Sequence, residues 1–281
     1  MNLDGCTALI TGASAGLGSE FARQLAGRAR TLILIARREE RLEALRAELE
    51  GRPPWRPGSP PEPATGRDGA RPSSARIEIR VVDLAKHKSV SDLCNWLEQE
   101  SIAVDLLVNN AGLGDRGTFG TSEFGRVNDM AQVNVVSLTL LTHRLLPAMI
   151  ATRRGAILNV SSCASFMPMP GFAVYAATKA YVTSFSEALR MELRGSGVRV
   201  AALCPGPVHT EFDTVAMRPD APKQPAPEFI YVAAEEVVRD ALDGIENDRA
   251  VVIPGLAMKI GMFLVRLTPM PILRLASRLA R

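Results

Sequence analysis

The beginning of this chain limits its possible folds more than any other stretch. CTALIT (6–11) is a short apolar run that breaks into GASAGLG (12–18), and a helical pattern, SEFARQLAGRA, follows at once. Strand, glycine turn and helix in that order bring backbone N–H groups and a helix N-terminus to one place, where they can hold a pyrophosphate. A glycine-rich turn alone is more often just a tight turn, and the strand and helix on either side give this one its meaning. Its spacing is G-x-x-x-G-x-G, through Gly12, Gly16 and Gly18, rather than the more familiar G-x-G-x-x-G.

The same unit then repeats. TLILIAR (31–37) reads as a second strand before a charged helix, REERLEALRAELE, and IEIRVVDL (77–84) as a third. DLLVNNAG (105–112) is a fourth strand ending in two asparagines, which tolerate turns and carry both donors and acceptors. A long helical stretch around VNDMAQVNVVSLTLLTHRLLPAMI precedes the strand AILNV (156–160). The next helix runs to Gly195 or Gly197, VRVAALCPG (198–206) is the sixth strand, and AVVIP (250–254) is the last. Strands alternating with helices across short loops predict an α/β protein, a doubly wound, mainly parallel sheet with helices on both faces. One stretch interrupts the pattern: residues 51–75 are rich in Pro, Gly, Ser and Arg, have no apolar periodicity, and read as a disordered surface insertion.

A second constellation lies where AILNV runs out into Ser161 and Ser162. The following helix carries Tyr175 and, four residues on, Lys179, so both side chains share one face. A free phenol has a pKa of ~10, and a nearby positive charge favours its ionised form, which is how a tyrosine becomes a general acid or base. An ordinary helix-face pair has the same spacing. However, the chain has only five lysines among its 33 basic residues, and neither Tyr181 nor Tyr231 has a lysine four positions on.

The rest of the composition mostly excludes. A net charge of +3 with no basic run argues against nucleic acid as a partner. Cys6, Cys94, Cys163 and Cys204 form no CxxC pair and read as small core residues in a reducing compartment. His87, His143 and His209 make no metal spacing, so no metal is expected. The first strand starts within a few residues of Met1, leaving no room for a signal peptide, and there is no run of 18 uncharged apolar residues to span a membrane. Together these point to a cytoplasmic protein.

With TGASAGLG, NNAG and Ser162-x12-Tyr175-x3-Lys179 in one chain and in that order, the sequence resembles the short-chain dehydrogenase/reductases over roughly residues 5–255, in the shorter branch marked by TGxxxGxG and YxxxK. The resemblance implies a Rossmann-type sheet of about seven parallel strands and a nicotinamide cofactor. It makes Tyr175 the proton donor or acceptor. It makes Lys179 the group that lowers the phenol's pKa and holds the nicotinamide ribose. Ser162 becomes the partner of the substrate carbonyl in preference to Ser161 because the family's serine stands thirteen residues before its tyrosine, and successive strand residues face opposite ways, so only one of the two can point at the site. Asn134 matches a family asparagine that interrupts a helix and anchors a proton-relay water. Gly12, Ser14, Gly16 and Leu17 match the pyrophosphate loop, Asp83 and Leu84 the adenine contacts, and Asn110 a contact beside the adenosine ribose. Pro205, Gly206, Val208 and Thr210 match the segment meeting the nicotinamide carboxamide, and His209 within it reads as solvent-facing.

The chain has Ala36, Arg37 and Arg38 at the end of the second strand, where an acid would bind the ribose 2′-OH of NAD. NADP(H) is therefore expected over NAD(H). Many NADP-preferring members carry a basic residue before the second glycine; Ala15 stands there here, so the preference rests on Arg37, helped by Ser14 and Arg38. The expected activity is interconversion of a ketone and a secondary alcohol, on a hydrophobic substrate under a lid at 211–230, within one catalytic domain of residues 1–255. The apolar tail, 256–281, carries Lys259, Arg266, Arg274, Arg278 and Arg281; it can pack over the pocket or lie on an anionic membrane as a basic amphipathic helix. The family implies a homodimer or homotetramer. The competing readings are a nucleotide-binding sensor without turnover, a membrane-peripheral protein organised by its tail, and an epimerase or dehydratase of the longer sister branch.

Overall fold

The computed structural model describes residues 1–51, 75–219, 221 and 227–279. Seven strands form one sheet: β1 (Thr7–Thr11), β2 (Thr31–Ala36), β3 (Arg76–Val81), β4 (Leu106–Asn109), β5 (Gly155–Val160), β6 (Val198–Leu203) and β7 (Val251–Val252). They lie in the order β3-β2-β1-β4-β5-β6-β7, every pairing parallel, as the strand–helix alternation predicts. The order reverses between β1 and β4, and at such a switch point the loops after neighbouring strands part and leave a crevice.

The central strands are apolar on both faces, because helices cover both. Successive residues of β1 show it: Ile10 joins a core with Leu34, Leu158 and Phe21, while Leu9 joins one with Ile33, Leu107 and Ile157. The first core is closed by α1 (Gly16–Ala26), α2 (Glu39–Glu50) and α8 (Ala234–Glu246); the second by α3 (His87–Gln99), α5 (Leu138–Ala151) and α6 (Ala173–Glu192). Each of these fully buried side chains contributes about 1.5–3 kcal/mol.

Several boundaries differ from the sequence reading. β4 stops at Asn109, β3 at Val81 and β6 at Leu203, so Asn110–Gly112, Asp83–Leu84 and Pro205–Gly206 all leave the sheet as loops at its C-terminal edge. α6 ends at Glu192, short of Gly195. α3 was not anticipated, although Val90, Leu93, Cys94 and Leu97 recur at helical spacing and are buried. The segment expected to be a surface insertion, 51–75, lies outside the described residues except for Gly51 and Ala75.

The long helical stretch is α4 (Phe124–Ala131) and α5, joined by a π-turn at Gln132–Ser137. Its 28 residues are apolar enough in composition to cross a membrane, but its inner face packs against α3, α6 and β5. The segment expected to be a lid, 211–230, begins with α7 (Glu211–Ala216), and residues 220 and 222–226 of it lie outside the described residues. The tail forms α9 (Leu256–Leu267) and α10 (Met270–Leu279). Met258 and Met262 of α9 pack with Cys163, Phe166, Met167 and Ile230, so this helix sits over the loops that follow β5 and β6.

Candidate active site

The glycine turn works because no side chain fits in it. Gly12 and Gly16 have φ of +68° and +56°, backbone that strains any L side chain. A Cβ on Gly12 would stand 2.9 Å from both Ala111 Cα and Asn110 Nδ2, and one on Gly18 would overlap the Gly12 carbonyl. Asn110 fixes the turn by donating from Nδ2 to Thr11 O at 2.8 Å. Thr11 Oγ1 in turn accepts from the backbone N–H of Asn110 and of Ala111, each at 3.0 Å. Thr11 was not singled out in the sequence, where it is one more β-branched strand residue.

At the end of β2 the Arg38 guanidinium donates to Ser14 Oγ through Nε and Nη2, at 3.3 and 3.2 Å. Arg37 is exposed beside it. Guanidinium and hydroxyl groups next to a glycine turn could hold the ribose end of a dinucleotide.

Across the switch point, α6 presents Tyr175 in a box of rings: Phe172 lies edge-on at 5.1 Å between centroids and Phe212 tilted at 5.3 Å. Burial pushes the phenol above its ordinary value, and the Ser162 hydroxyl pulls the other way. Lys179 Nζ is 5.7 Å from the centre of the Tyr175 ring and donates to Val160 O at 2.8 Å. Burial brings Lys179 down to about 8, so it is mostly charged at neutral pH. Burial is the largest influence on the phenol in this structure and acts against the lowering expected from Lys179. A protonated phenol beside a buried cation is an acid whose conjugate base is stabilised as it forms.

The two serines part as the strand alternation requires. Ser161 turns into α6, bonded to Lys179 O at 2.8 Å and Thr183 Oγ1 at 2.7 Å. Ser162 begins the turn at Cys163–Phe166, accepting from Ala164 N, on the Tyr175 side. Asn134 lies in the π-turn, buried, and clamps Leu113 from both sides: Oδ1 accepts from its N–H at 2.8 Å and Nδ2 donates to its carbonyl at 2.9 Å. The same Nδ2 donates to Thr178 Oγ1, which donates to Tyr175 O. A Cβ on Gly112 would stand 3.3 Å from Lys179 Nζ and 3.5 Å from Asn134 Oδ1, so this glycine keeps a space open in front of both. Thr178 and Gly112 were not named from the sequence, although Gly112 closes the NNAG motif that was.

The remaining residues lie around this crevice. Asp83 bonds Ala85 N and pairs with Lys86, while Leu84 is buried in the second core, its carbonyl accepting from Ser137. Pro205 O accepts from Cys163 N, Gly206 lies against Met258, Val208 packs on the first core, and Thr210 caps α7 against Gly16. Leu17, in the first turn of α1, also packs on the first core. His209 stacks on Tyr231 and meets Glu228, largely exposed, as read. Among the described residues no three His, Cys, Asp or Glu stand together as metal ligands.

The model of the short chain dehydrogenase family matches residues 6–54 and 65–220. Sulfoacetaldehyde reductase 2 of Chromohalobacter salexigens is 36% identical over 74% of this chain and 74% of its own. A short-chain dehydrogenase from Sphingobium yanoikuyae, solved in complex with NADPH, superposes with a TM-score of 0.75 at 31% identity, covering 89% of this chain and 88% of that one. A bulky-bulky ketone specific alcohol dehydrogenase from Comamonas testosteroni gives 0.72 at 27% identity, covering 91% and 88%. With the glycine turn at one end of the crevice and the Ser–Tyr–Lys face at the other, this chain belongs to the short chain dehydrogenase family and is a NAD(P)-dependent oxidoreductase.

Proposed function

We propose that the protein interconverts a hydrophobic ketone and its secondary alcohol with NADP(H) as the cofactor. The arrangement of Tyr175, Lys179 and Ser162 around the space kept by Gly112 carries this reading. When bound, the nicotinamide supplies the hydride for reduction or takes it up in oxidation. In the reducing direction Ser162 donates to the substrate carbonyl oxygen and Tyr175 passes its proton to that oxygen as negative charge develops. The phenolate left behind is stabilised by the Lys179 ammonium. Val160 O takes one of that ammonium's three donors, so others can serve ribose hydroxyls. Asn134 acts by holding Gly112 open and, through Thr178, fixing the turn of α6 that bears Tyr175.

Gly12, Ser14, Gly16 and Leu17 would hold the pyrophosphate, Arg37 and Arg38 the 2′-phosphate, Asp83, Leu84 and Asn110 the adenosine, and Pro205, Gly206, Val208 and Thr210 the carboxamide end. Phe172, Phe212, Met130 and Met169 pack around Tyr175, which favours an apolar substrate, as does the likeness to a dehydrogenase acting on bulky ketones. Residues 1–255 form the catalytic unit in this reading, with 211–230 as its lid. Four free thiols suit the cytoplasm, and the exposed Tyr181, Met191 and Ile150 suit a homo-oligomer contact.

The test is NADPH consumption with wild type and Tyr175→Phe on bulky ketones, with sulfoacetaldehyde as the small anionic alternative. Loss of turnover by about a hundredfold or more in Tyr175→Phe supports the assignment. Equal rates above background remove Tyr175 as the acid, and turnover of sulfoacetaldehyde alone removes the hydrophobic substrate.

A further inference from the structure

Glu211 opens α7 at the start of the lid, yet its carboxylate is bound to the far side of the glycine turn. Arg41 Nη1 donates to both of its oxygens, at 2.6 and 2.8 Å, and Arg38 Nη1 to one, at 3.1 Å. Arg38 is the guanidinium that also grips Ser14, so the lid's first residue occupies the basic cluster that faces the adenosine end. The two guanidinium groups, Arg41 first, hold the Glu211 carboxyl below the usual carboxylate range. A cleft of about 490 Å³ lined by Ser14, Gly16, Arg41, Thr210 and Glu211 opens beside the trio. The three side chains are 45%, 47% and 49% exposed, so one anion can replace another there without burying a charge. Ion pairs this exposed are weak, and a dianion outcompetes a single carboxylate for them.

We propose that Glu211 is a specificity-determining residue for the cofactor: it sits on Arg38 and Arg41 as a stand-in for phosphate, is displaced by a dinucleotide bearing a 2′-phosphate, and stays seated under one without it. The inference rests on the NADP(H) reading above. It adds a coupling, because the next residue, Phe212, lies against the Tyr175 ring at 5.3 Å. Freeing Glu211 loosens the helix that closes one wall around the phenol, so the presence of the phosphate is felt at the reacting end. By linkage, closing that wall weakens phosphate binding by the same factor.

The experiment compares the full-length wild type with Glu211→Gln, titrating NADPH, NADH and the probe 2′,5′-ADP by calorimetry. Hydrogen exchange is followed over 211–216. In Glu211→Gln the dissociation constants of NADPH and 2′,5′-ADP tighten about three- to fivefold and that of NADH moves less than twofold. In wild type, 2′,5′-ADP speeds exchange across α7; in Glu211→Gln exchange is already fast and does not respond. Equal tightening of NADPH and NADH reflects only a general change of field and overturns the proposal. So does an unchanged NADPH affinity in a wild type that prefers NADPH, which leaves the NADP(H) reading intact. If both proteins favour NADH, both readings fall. If wild type shows no preference and Glu211→Gln favours NADPH, the masking role of Glu211 stands.

Discussion

Replacing Lys179 by methionine is expected to make the protein more stable while disabling it. Lys179 is buried, and the fold lowers its pKa from 10.5 to about 8, which at about 1.4 kcal/mol per pH unit makes the charged form cost about 3 kcal/mol near neutrality. Methionine keeps the apolar stem and removes the charge. Against this, Val160 O loses its 2.8 Å donor, and a buried carbonyl without a partner costs about 1–3 kcal/mol. At pH 7 the variant therefore gains at most about 2 kcal/mol. The change with pH is the sharper quantity, because the carbonyl penalty cancels from it. Between pH 8 and 10.5 the unfolded lysine still holds its proton while the folded one has lost it, so wild-type stability rises with pH and the variant's does not. The stability difference between them should shrink by about 2–3 kcal/mol from pH 7 to pH 10 in urea titrations followed by far-ultraviolet circular dichroism. A difference that stays constant over that range would refute the claim that Lys179 is held charged against the cost of burial. Activity falls alongside, because the phenolate formed on Tyr175 loses its counter-charge.

The same ammonium shapes the pH profile: kcat/KM for reduction is expected to fall as pH rises through about 8, with Tyr175 still protonated there, as stopped-flow NADPH oxidation would reveal. Ser162→Ala is expected to lower kcat by about tenfold or more at little cost in stability, whereas Ser161→Ala, which breaks two buried hydrogen bonds, costs about 1–2 kcal/mol and acts on turnover only indirectly. Reversal of that pattern would swap their assignments. Arg38→Ala is expected to weaken NADPH binding while leaving NADH nearly unchanged, read as the ratio of the two KM values.

Much of this site is written locally in the chain, and the parts that are not share a cause. Gly12, Gly16 and Gly18 are legible because positive φ and close approach leave only glycine, and Tyr175 and Lys179 because one helix turn brings them together. The choice of Ser162 over Ser161 rests on the family's spacing to Tyr175; strand alternation adds only that one of the two can face the crevice, and Ser161 is bonded to Thr183. Spacing reports the charge that neighbours the Tyr175 ring but not how deeply the ring is buried, so the upward push of burial has no signature in the sequence. Thr178 and Gly112 went unnamed because their importance lies in what Asn134 and Lys179 reach across the crevice. The pairing of Arg41 with Glu211, 170 positions apart, has no local signature at all. α3 is different: its apolar positions recur at helical spacing and could have been read.

The seat of Met258 against Gly206 has a consequence for how this chain can vary. A Cβ on Gly206 would come within 2.8 Å of Met258 Cγ, so the loop after β6 and the tail helix impose a reciprocal limit on one another. A glycine that motif-matching credits wholly to the dinucleotide is thus also held in place by a thioether more than fifty positions downstream. Among homologues, an alanine at the first position should keep company with a smaller side chain at the second, a covariation invisible to any comparison that stops where the family's shared region ends.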